Sequence, residues 1–325
     1  MIITQKYHSS SEIDAEFVAS LEELLQDQVP SFEWIKIKER LSPQNVHFSY
    51  YLFFGDSRNS PIGYAQLSIV NEEIEKSLIG NLFKKNQKIK RVYWSAPTAT
   101  EEGIVFDPAF LKGGLKKAAE LFKEYGKRKE VVSQTVTMSD ICFDHSDLNH
   151  GISHSKSSIA SCLVKNKPNY EEYLKGLPSA QRIKVEKLWK ELYKNHNYRI
   201  GEYEQFKECF EYKKFGSKQY KYLRKDEEIK TIADQSDLFL TFESPDEIFA
   251  FVFLFYGKAG NIFFRTLPIA ADVKDELLIQ AAIMRFFEED AGAKLRFLDR
   301  LKIDEQLKSL GFTYKTTYQL ALKDD

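Results

Sequence analysis

Nine consecutive residues, Ile248 to Tyr256 (IFAFVFLFY), carry no charge, and this run constrains the fold more than any other segment. A helix crossing a bilayer needs about 20 such residues, so the run is too short to span one. Its aromatic and β-branched content makes it a buried strand of a soluble core. The chain has 325 residues, more than the roughly 100–200 of one typical domain, which predicts two compact units or one large one.

Hydrophobic residues make up 43% and charged residues 29%, while 47 Lys and Arg nearly cancel 48 Asp and Glu. This is the balance of a globular protein, and it excludes a disordered tail and a globally basic nucleic-acid binder. Cys142, Cys162 and Cys209 show no C-x-x-C spacing, which speaks against a disulfide framework or a structural zinc site. Reduced thiols in a cytoplasm fit this usage. Met1 to Asp14 carries Lys6, Glu12 and Asp14 without an apolar stretch, so it does not read as a secretory signal.

Polar residues Ser10 to Asp14 precede Phe17, Val18, Leu21, Leu24 and Leu25, spaced three and four apart, which predicts a helix over about 12–27. His47 to Phe54 and Ile62 to Val70 flank the turn-forming segment Gly55 to Pro61 and read as a hairpin. A strand over 90–95, a helix from Phe110 to Gly126 and a strand over 131–138 follow. The second half repeats the order. Strands over 238–242, 248–256 and 261–267 lead into a helix over 273–290, a strand over 295–298, a short helix ending at Gly311 and a last strand to Leu322. Between the halves, Asn169 precedes a helical stretch from Tyr170 to Tyr193 that breaks at Gly176-Leu177-Pro178. From Leu163 to Lys230 there are 17 Lys and Arg against 11 Asp and Glu, a net +6 in a chain of net −1. The segment is a basic helical linker, either a solvated helix face or a contact for phosphate or transfer RNA.

This arrangement resembles the GNAT acyltransferase fold, and within it the tandem-GNAT, Fem-like transferases in which two such domains are joined by a helical segment. The resemblance covers most of the chain. Its motifs are the linker entry Tyr170 to Arg182 (YEEYLKGLPSAQR), similar to the family's YL-x-x-L-S-x-x-x-R, and the ending Phe297-Leu298-Asp299-Arg300 with Leu307 to Phe312, similar to fDlG followed by yK-x-x-fGf. The sequence departs from the family where Ile183 to Leu188 replaces an arginine-rich run and Leu307 replaces the aromatic. The resemblance implies an α+β protein of two tandem GNAT-like domains, each a mixed central sheet flanked by helices, over residues 1–155 and 156–325. It also implies an acyl- or aminoacyltransferase. The donor would be acyl-CoA or a charged transfer RNA and the acceptor an amine, meeting in a ternary complex at a V-shaped opening between parting strands. The alternative is a noncatalytic binding protein that keeps the tandem fold without the donor site.

The CoA fingerprint of GNAT enzymes, Q/R-x-x-G-x-G/A, lets backbone N–H groups approach a diphosphate at a helix N-terminus. Only Leu111 to Lys116 approximates it here, and the equivalent point of the second half, Pro268 to Lys274, has no glycine. Gly113 and Gly114 with Lys112, Lys116 and Lys117 are the expected cofactor-binding residues; the plainer alternative is a bend into the helix with exposed lysines. Asp299, after a strand, is the expected catalytic base or else a partner of Arg296 or Arg300. Lys308, matched to the family's lysine, would stabilise a carbonyl or phosphate, or stand solvated on its helix. Tyr256 and Arg265, on paired strands, are the expected substrate contacts, with ordinary strand packing as the alternative. Three of the six histidines, His145, His150 and His154, fall near Cys142, Asp144 and Asp147. Gly151 and the surrounding serines make this segment a polar loop, so no metal is expected. Cys142 reads as an inert thiol.

Overall fold

The computed structural model describes residues 2–56, 59–78, 83–94, 103–128, 130–139, 142, 144, 153–195, 199–205, 214–215, 226–245, 247–269, 273–290, 292–298 and 304–322. The chain divides into two compact units. One comprises residues 1–28, 38–159 and 315–325, the other residues 29–37 and 160–314. Neither unit is continuous in sequence, because residues 29–37 belong to the second and residues 315–325 to the first.

The first unit is built on a mixed sheet in the order β1 (Ile3–Tyr7), β2 (Val46–Phe54), β3 (Pro61–Leu78), β4 (Phe83–Trp94), β6 (Val131–Ser139) and β14 (Thr313–Leu322), with β5 (Ile104–Phe106) added to β3. The strands β2, β3 and β4 are antiparallel, whereas β4 and β6 run parallel. The parallel step requires a crossover, supplied by α3 (Leu111–Gly126). That helix buries Gly114, Leu115, Ala118, Leu121, Phe122 and Tyr125, a helical stripe. It packs on Tyr51, Phe53, Leu67, Val92 and Trp94, with the Phe122 ring 4.6 Å from the Trp94 ring, edge to face. The helix α1 (Ala15–Leu24) begins later than the sequence predicts, after a 3-10 turn over Ser10–Glu12. Ser10, expected to help start the helix, instead donates its backbone N–H to Glu39 at 2.8 Å. Glu39 lies in α2 (Phe32–Leu41) and also accepts from the Tyr50 hydroxyl at 3.0 Å.

The second unit repeats the plan in the order β7 (Ser153–Val164), β13 (Lys294–Phe297), β12 (Asn261–Pro268), β11 (Glu247–Tyr256), β10 (Leu238–Glu243) and β8 (Arg199–Tyr203), with the two-residue β9 (Lys214–Phe215) beside β11. The strands β10, β11 and β12 are antiparallel; β12 and β13 are parallel, linked by α7 (Asp275–Glu288). This helix is buried on most sides, from Leu277 to Ile283 and again at Phe286 and Phe287. It lies on Leu240, Phe242, Ala250, Val252, Leu254, Ile262 and Phe264. The nine-residue apolar run lies in β11, buried except at the half-buried Phe249 and the exposed Tyr256. The linker is α4 (Tyr170–Gly176) and α5 (Ser179–Asn195), and Asn169 caps α4 by accepting from the Glu172 N–H at 2.9 Å. Two further helices are α6 (Asp226–Ala233) and α8 (Asp304–Ser309).

One expectation fails outright: the segment read as a polar loop through Ser158 enters β7 at Ser153. Its end is fixed by β13, through Val164 opposite Lys294 and Leu163 opposite Leu295. Serine-rich alternation without a local partner gives no strand signal, so strands distant in sequence, β13 and β14, make this a strand. Among the described residues no helix is long and apolar enough to cross a membrane.

Candidate functional site

Parallel strands joined by a helix leave a crevice beyond their carboxyl ends when they part. In the second unit β12 and β13 pair from Asn261 opposite Lys294 to Phe264 opposite Phe297, and the Leu298 N–H closes the ladder on the Phe264 carbonyl at 2.9 Å. Beyond this point β12 continues through Arg265 to Pro268, paired with β11 as far as Ala250 opposite Pro268. Among the described residues no strand follows it on the β13 side. The main chain of 265–268 therefore extends past the end of the β12–β13 ladder.

The first unit parts at the corresponding place, after Trp94 opposite Val136. There the gap is bridged: Gly103 donates its N–H to the Thr137 carbonyl at 3.2 Å and accepts from the Gln66 N–H at 2.9 Å. The chain then runs as β5 along β3, with Phe106 opposite Gly63.

The helix starts beside the two partings differ in chemistry. At α3, Lys112, Gly113 and Lys116 are exposed and the first turn holds no acid. Ahead of it a 3-10 turn over Pro108–Phe110 is capped by Asp107, which accepts from the Ala109 N–H at 2.8 Å. Both glycines lie inside the helix rather than in a loop before it. Gly114 is buried, and a Cβ there would stand 2.3 Å from the Phe106 ring; Gly63 meets the same ring at 2.1 Å. The space that Gly114 leaves is thus filled by Phe106, not open to an anion. Gly113 is the freer of the two, its nearest neighbour being Ile2 at 3.0 Å. At α7 the first turn carries Asp275 and Glu276, and burial, then Glu276, raises the Asp275 carboxyl above its usual range. A diphosphate is not favoured there, because two carboxylates offset the positive helix end.

The structure separates the two expected substrate contacts. Facing residues of neighbouring strands share a side of the sheet and successive residues alternate. Arg265 faces Phe253, while Tyr256 faces Ile262, three positions along β11, so the two lie on opposite sides. Arg265 is the first residue beyond the β12–β13 ladder. Its guanidinium pairs with Glu228 of α6 at 3.0 Å and lies 5.9 Å from the Trp34 ring centroid. Tyr256 sits at the far end of β11 and donates to Glu289 at 2.8 Å; burial, then that hydrogen bond, raises its hydroxyl pKa, so it stays protonated near neutrality.

Asp299 and Arg300 lie outside the described residues, as do His145, Asp147 and His150. Lys308 is exposed on α8. The motif around it builds a helix end: Phe312 N–H bonds the Leu307 carbonyl at 3.2 Å, Gly311 N–H the Lys308 carbonyl at 3.0 Å, and Gly311 has φ 84°. This is a Schellman cap, with Leu307 and Phe312 both in the core. Cys142 and Cys162 are buried. Among the described residues no group of three or more His, Cys, Asp and Glu side chains is placed to hold a metal ion.

Sequence reasoning missed a polar cluster at the end of the second sheet where the β12–β13 ladder stops. Glu243, the last residue of β10, is 0% exposed and accepts from Thr241 Oγ1 at 2.6 Å, Arg199 Nε at 2.8 Å and the Tyr203 hydroxyl at 3.0 Å. The sequence reading ended this strand at residue 242, one short of Glu243. Its available signal was the alternation of Phe239, Thr241 and Glu243, which puts two polar residues on one side of an otherwise apolar strand.

No protein-family model matches the chain, and no curated protein matches it in sequence. Solved structures do resemble it. A tandem GNAT protein from the clavulanic acid biosynthesis pathway matches over 100% of both chains at 9% identity, with a TM-score of 0.42. L-PGS from Bacillus licheniformis matches over 96% of this chain and 95% of its own at 8% identity, TM-score 0.48. A conserved protein of unknown function from Bacteroides thetaiotaomicron matches over 99% and 100% at 9% identity, TM-score 0.49.

Proposed function

We propose that the chain is an N-acyltransferase, moving an acyl or aminoacyl group from acyl-CoA or a charged transfer RNA to an amine within a ternary complex. The observation that carries this reading is the parting of β12 from β13 beyond Phe264 and Phe297, with α7 as the crossover between them. Main-chain groups bordering such an opening are suited to hold a thioester or ester carbonyl while the amine attacks. The amide bond forms, the C–S or C–O bond breaks, and the departing thiol or hydroxyl takes up a proton. An ammonium cannot attack, so a base must take the amine's proton. Asp299, the residue following Leu298 at the ladder's end, is proposed for that step. Arg265 is proposed to face the substrate, since it begins the parted stretch; Tyr256, at the other end and side, drops out of the site. Lys308 is proposed to meet a donor carbonyl or phosphate. The exposed bases of α5, Lys184 and Lys187 among them, support transfer RNA as donor over CoA.

Calorimetry and thermal shift with CoA, acyl-CoAs and charged transfer RNA test the proposal, followed by transfer of labelled acyl group to an amine mixture. Saturable stabilisation by one donor class and amide formation are expected. Absence of both with every donor overturns it.

A second reading, a noncatalytic binding protein, is favoured by one observation: neither helix start is fitted to a diphosphate, Gly114 being filled by Phe106 and α7 starting with two acids. Amine binding without any donor binding would decide for it.

A further inference from the structure

We infer that α3 is a docking surface for an anionic bilayer, with a line of exposed lysines on the headgroups and Phe110 entering the boundary below them. The inference concerns the first unit alone and does not depend on the transferase reading.

The charge comes from the helix itself. Residues 111–128 hold six Lys and Arg against two Glu. Both acids are taken: Glu120 pairs with Lys117 at 2.6 Å and Glu124 with Arg128 at 3.3 Å. The cations left over are Lys112, Lys116, Lys123 and Lys127, all exposed, and among the described residues none of them is ion-paired. Their spacing brings them together. At about 100° per residue, steps of four, seven and four residues return to one side, so the four fall within about 60° of one another on a line about 22 Å long. Leu115, Ala118, Phe122 and Tyr125 turn to the sheet, which leaves the lysines along the helix's back. Lys112 with Lys116, and Lys123 with Lys127, are like charges at i, i+4, an arrangement that weakens a helix standing alone. The linker avoids it, pairing Arg182 with Glu186 at 3.9 Å and Lys184 with Glu276 at 3.5 Å.

The opposite face of the same sheet is acidic. Residues 7–28 hold six Asp and Glu and no Lys or Arg. Tyr7 faces Tyr50, and its hydroxyl donates to Asp14, just ahead of α1, at 3.3 Å. Tyr51, the next residue of β2 and so on the other side, packs with α3. A negative surface therefore attracts the unit by α3 and repels its other face, which selects one orientation.

A line of lysines suits a bilayer or a nucleic acid, and the residues around it favour the bilayer. Nucleic-acid surfaces add base contacts or repeated aromatic stacking to their phosphate contacts, and the lysine line is not interleaved with aromatics. At its end the turn Pro108–Phe110 is exposed throughout, with Phe110 42% exposed two residues before Lys112. An aromatic ring so placed enters the acyl boundary while lysines meet the headgroups. Each lysine at an anionic surface strengthens binding about fivefold, so the four together supply on the order of several hundredfold.

The test is co-sedimentation with vesicles of phosphatidylserine and phosphatidylcholine in equal parts, against vesicles of phosphatidylcholine alone. The unaltered protein is expected on the first and not the second, and to be released as salt rises from about 0.1 to about 0.5 M. Lys116→Gln with Lys123→Gln is expected to weaken binding about 25-fold at unchanged Tm. Phe110→Ser is expected to weaken it about threefold and to leave the salt dependence as it was. Lys175→Gln with Lys190→Gln, which takes the same charge from the linker, is expected to stay within about twofold of the unaltered protein. An equal loss in that linker variant makes the attraction one of net charge and overturns the inference, as does absence of vesicle binding at low salt. Duplex and single-stranded RNA are titrated in parallel: RNA binding that the Lys116, Lys123 variant loses, with vesicle binding unchanged, assigns the lysines to nucleic acid and also overturns it.

Discussion

The two units share one plan, three antiparallel strands, a helix and a returning parallel strand, but finish it differently at the parting. In the first, Gly103 bridges toward β6, β5 runs beside β3, and Phe106 fills the hollow made by Gly63 and Gly114. In the second, the ladder stops at Phe264 and Leu298 with no described strand beyond, and a buried carboxylate lies at the same sheet end. The charges are reversed as well: lysines stand at the start of α3, carboxylates at the start of α7. A repeated fold thus does not repeat a site. The first parting is packed by Phe106, and the second carries buried charge at its sheet end.

The largest expected effect tests whether the first parting is packing. Gly114→Val drives a branched side chain into the Phe106 ring and should destabilise by about 2–3 kcal/mol, read as a fall in Tm. Its neighbour Gly113→Ala should be neutral or gain up to about 1 kcal/mol from helix propensity, since only the end of Ile2 is near. If Gly114→Val kept its Tm and lost CoA binding instead, the comparison would be broken. In the second unit Gly201→Ala should cost about 1–2 kcal/mol in chemical denaturation, because Thr241, Tyr203 and Glu243 all crowd the new methyl. Next in size, Lys112→Glu with Lys116→Glu should weaken any CoA binding about tenfold at low salt, with less effect at high salt. A CoA affinity that instead rises on Asp275→Asn with Glu276→Gln would move the donor to the second unit. The smallest effect is Asp275→Asn alone. The folded-state carboxyl is raised, so its contribution is fully present below the unfolded value of about 3.9 and is lost as pH rises through the folded value. The Asp275→Asn variant should therefore show a slightly higher Tm than the unaltered protein at pH 7 and no advantage at about pH 3, below the unfolded value.

Much of the fold was legible. The β11 run, the hairpin turn between β2 and β3, the helix α7 and the Gly176 to Pro178 break carry strong local patterns of period, turn chemistry and capping and appear within a few residues of their expected places, although β3 runs on to Leu78, eight residues past its expected end. The weakly patterned elements were not. The strand β1, five residues long, pairs along β2 from Ile3 opposite Phe54, and β7 depends on β13 and β14. Of the candidate site, Arg265 was legible as a charge in a strand, but its side of the sheet relative to Tyr256 was not, because that depends on register. Glu243 was hidden for a related reason: its partners Arg199 and Tyr203 stand 44 and 40 positions earlier in the chain.

By itself the sequence determined the α+β class, the duplicated strand-helix-strand order and the basic helical linker, since these follow from local periodicity and capping. Tertiary structure alone decided which glycine is filled, where each parallel ladder stops and which carboxylate is buried with an exposed cation. Those depend on strand register and on side chains brought together across dozens of residues, information that no local window of the chain contains.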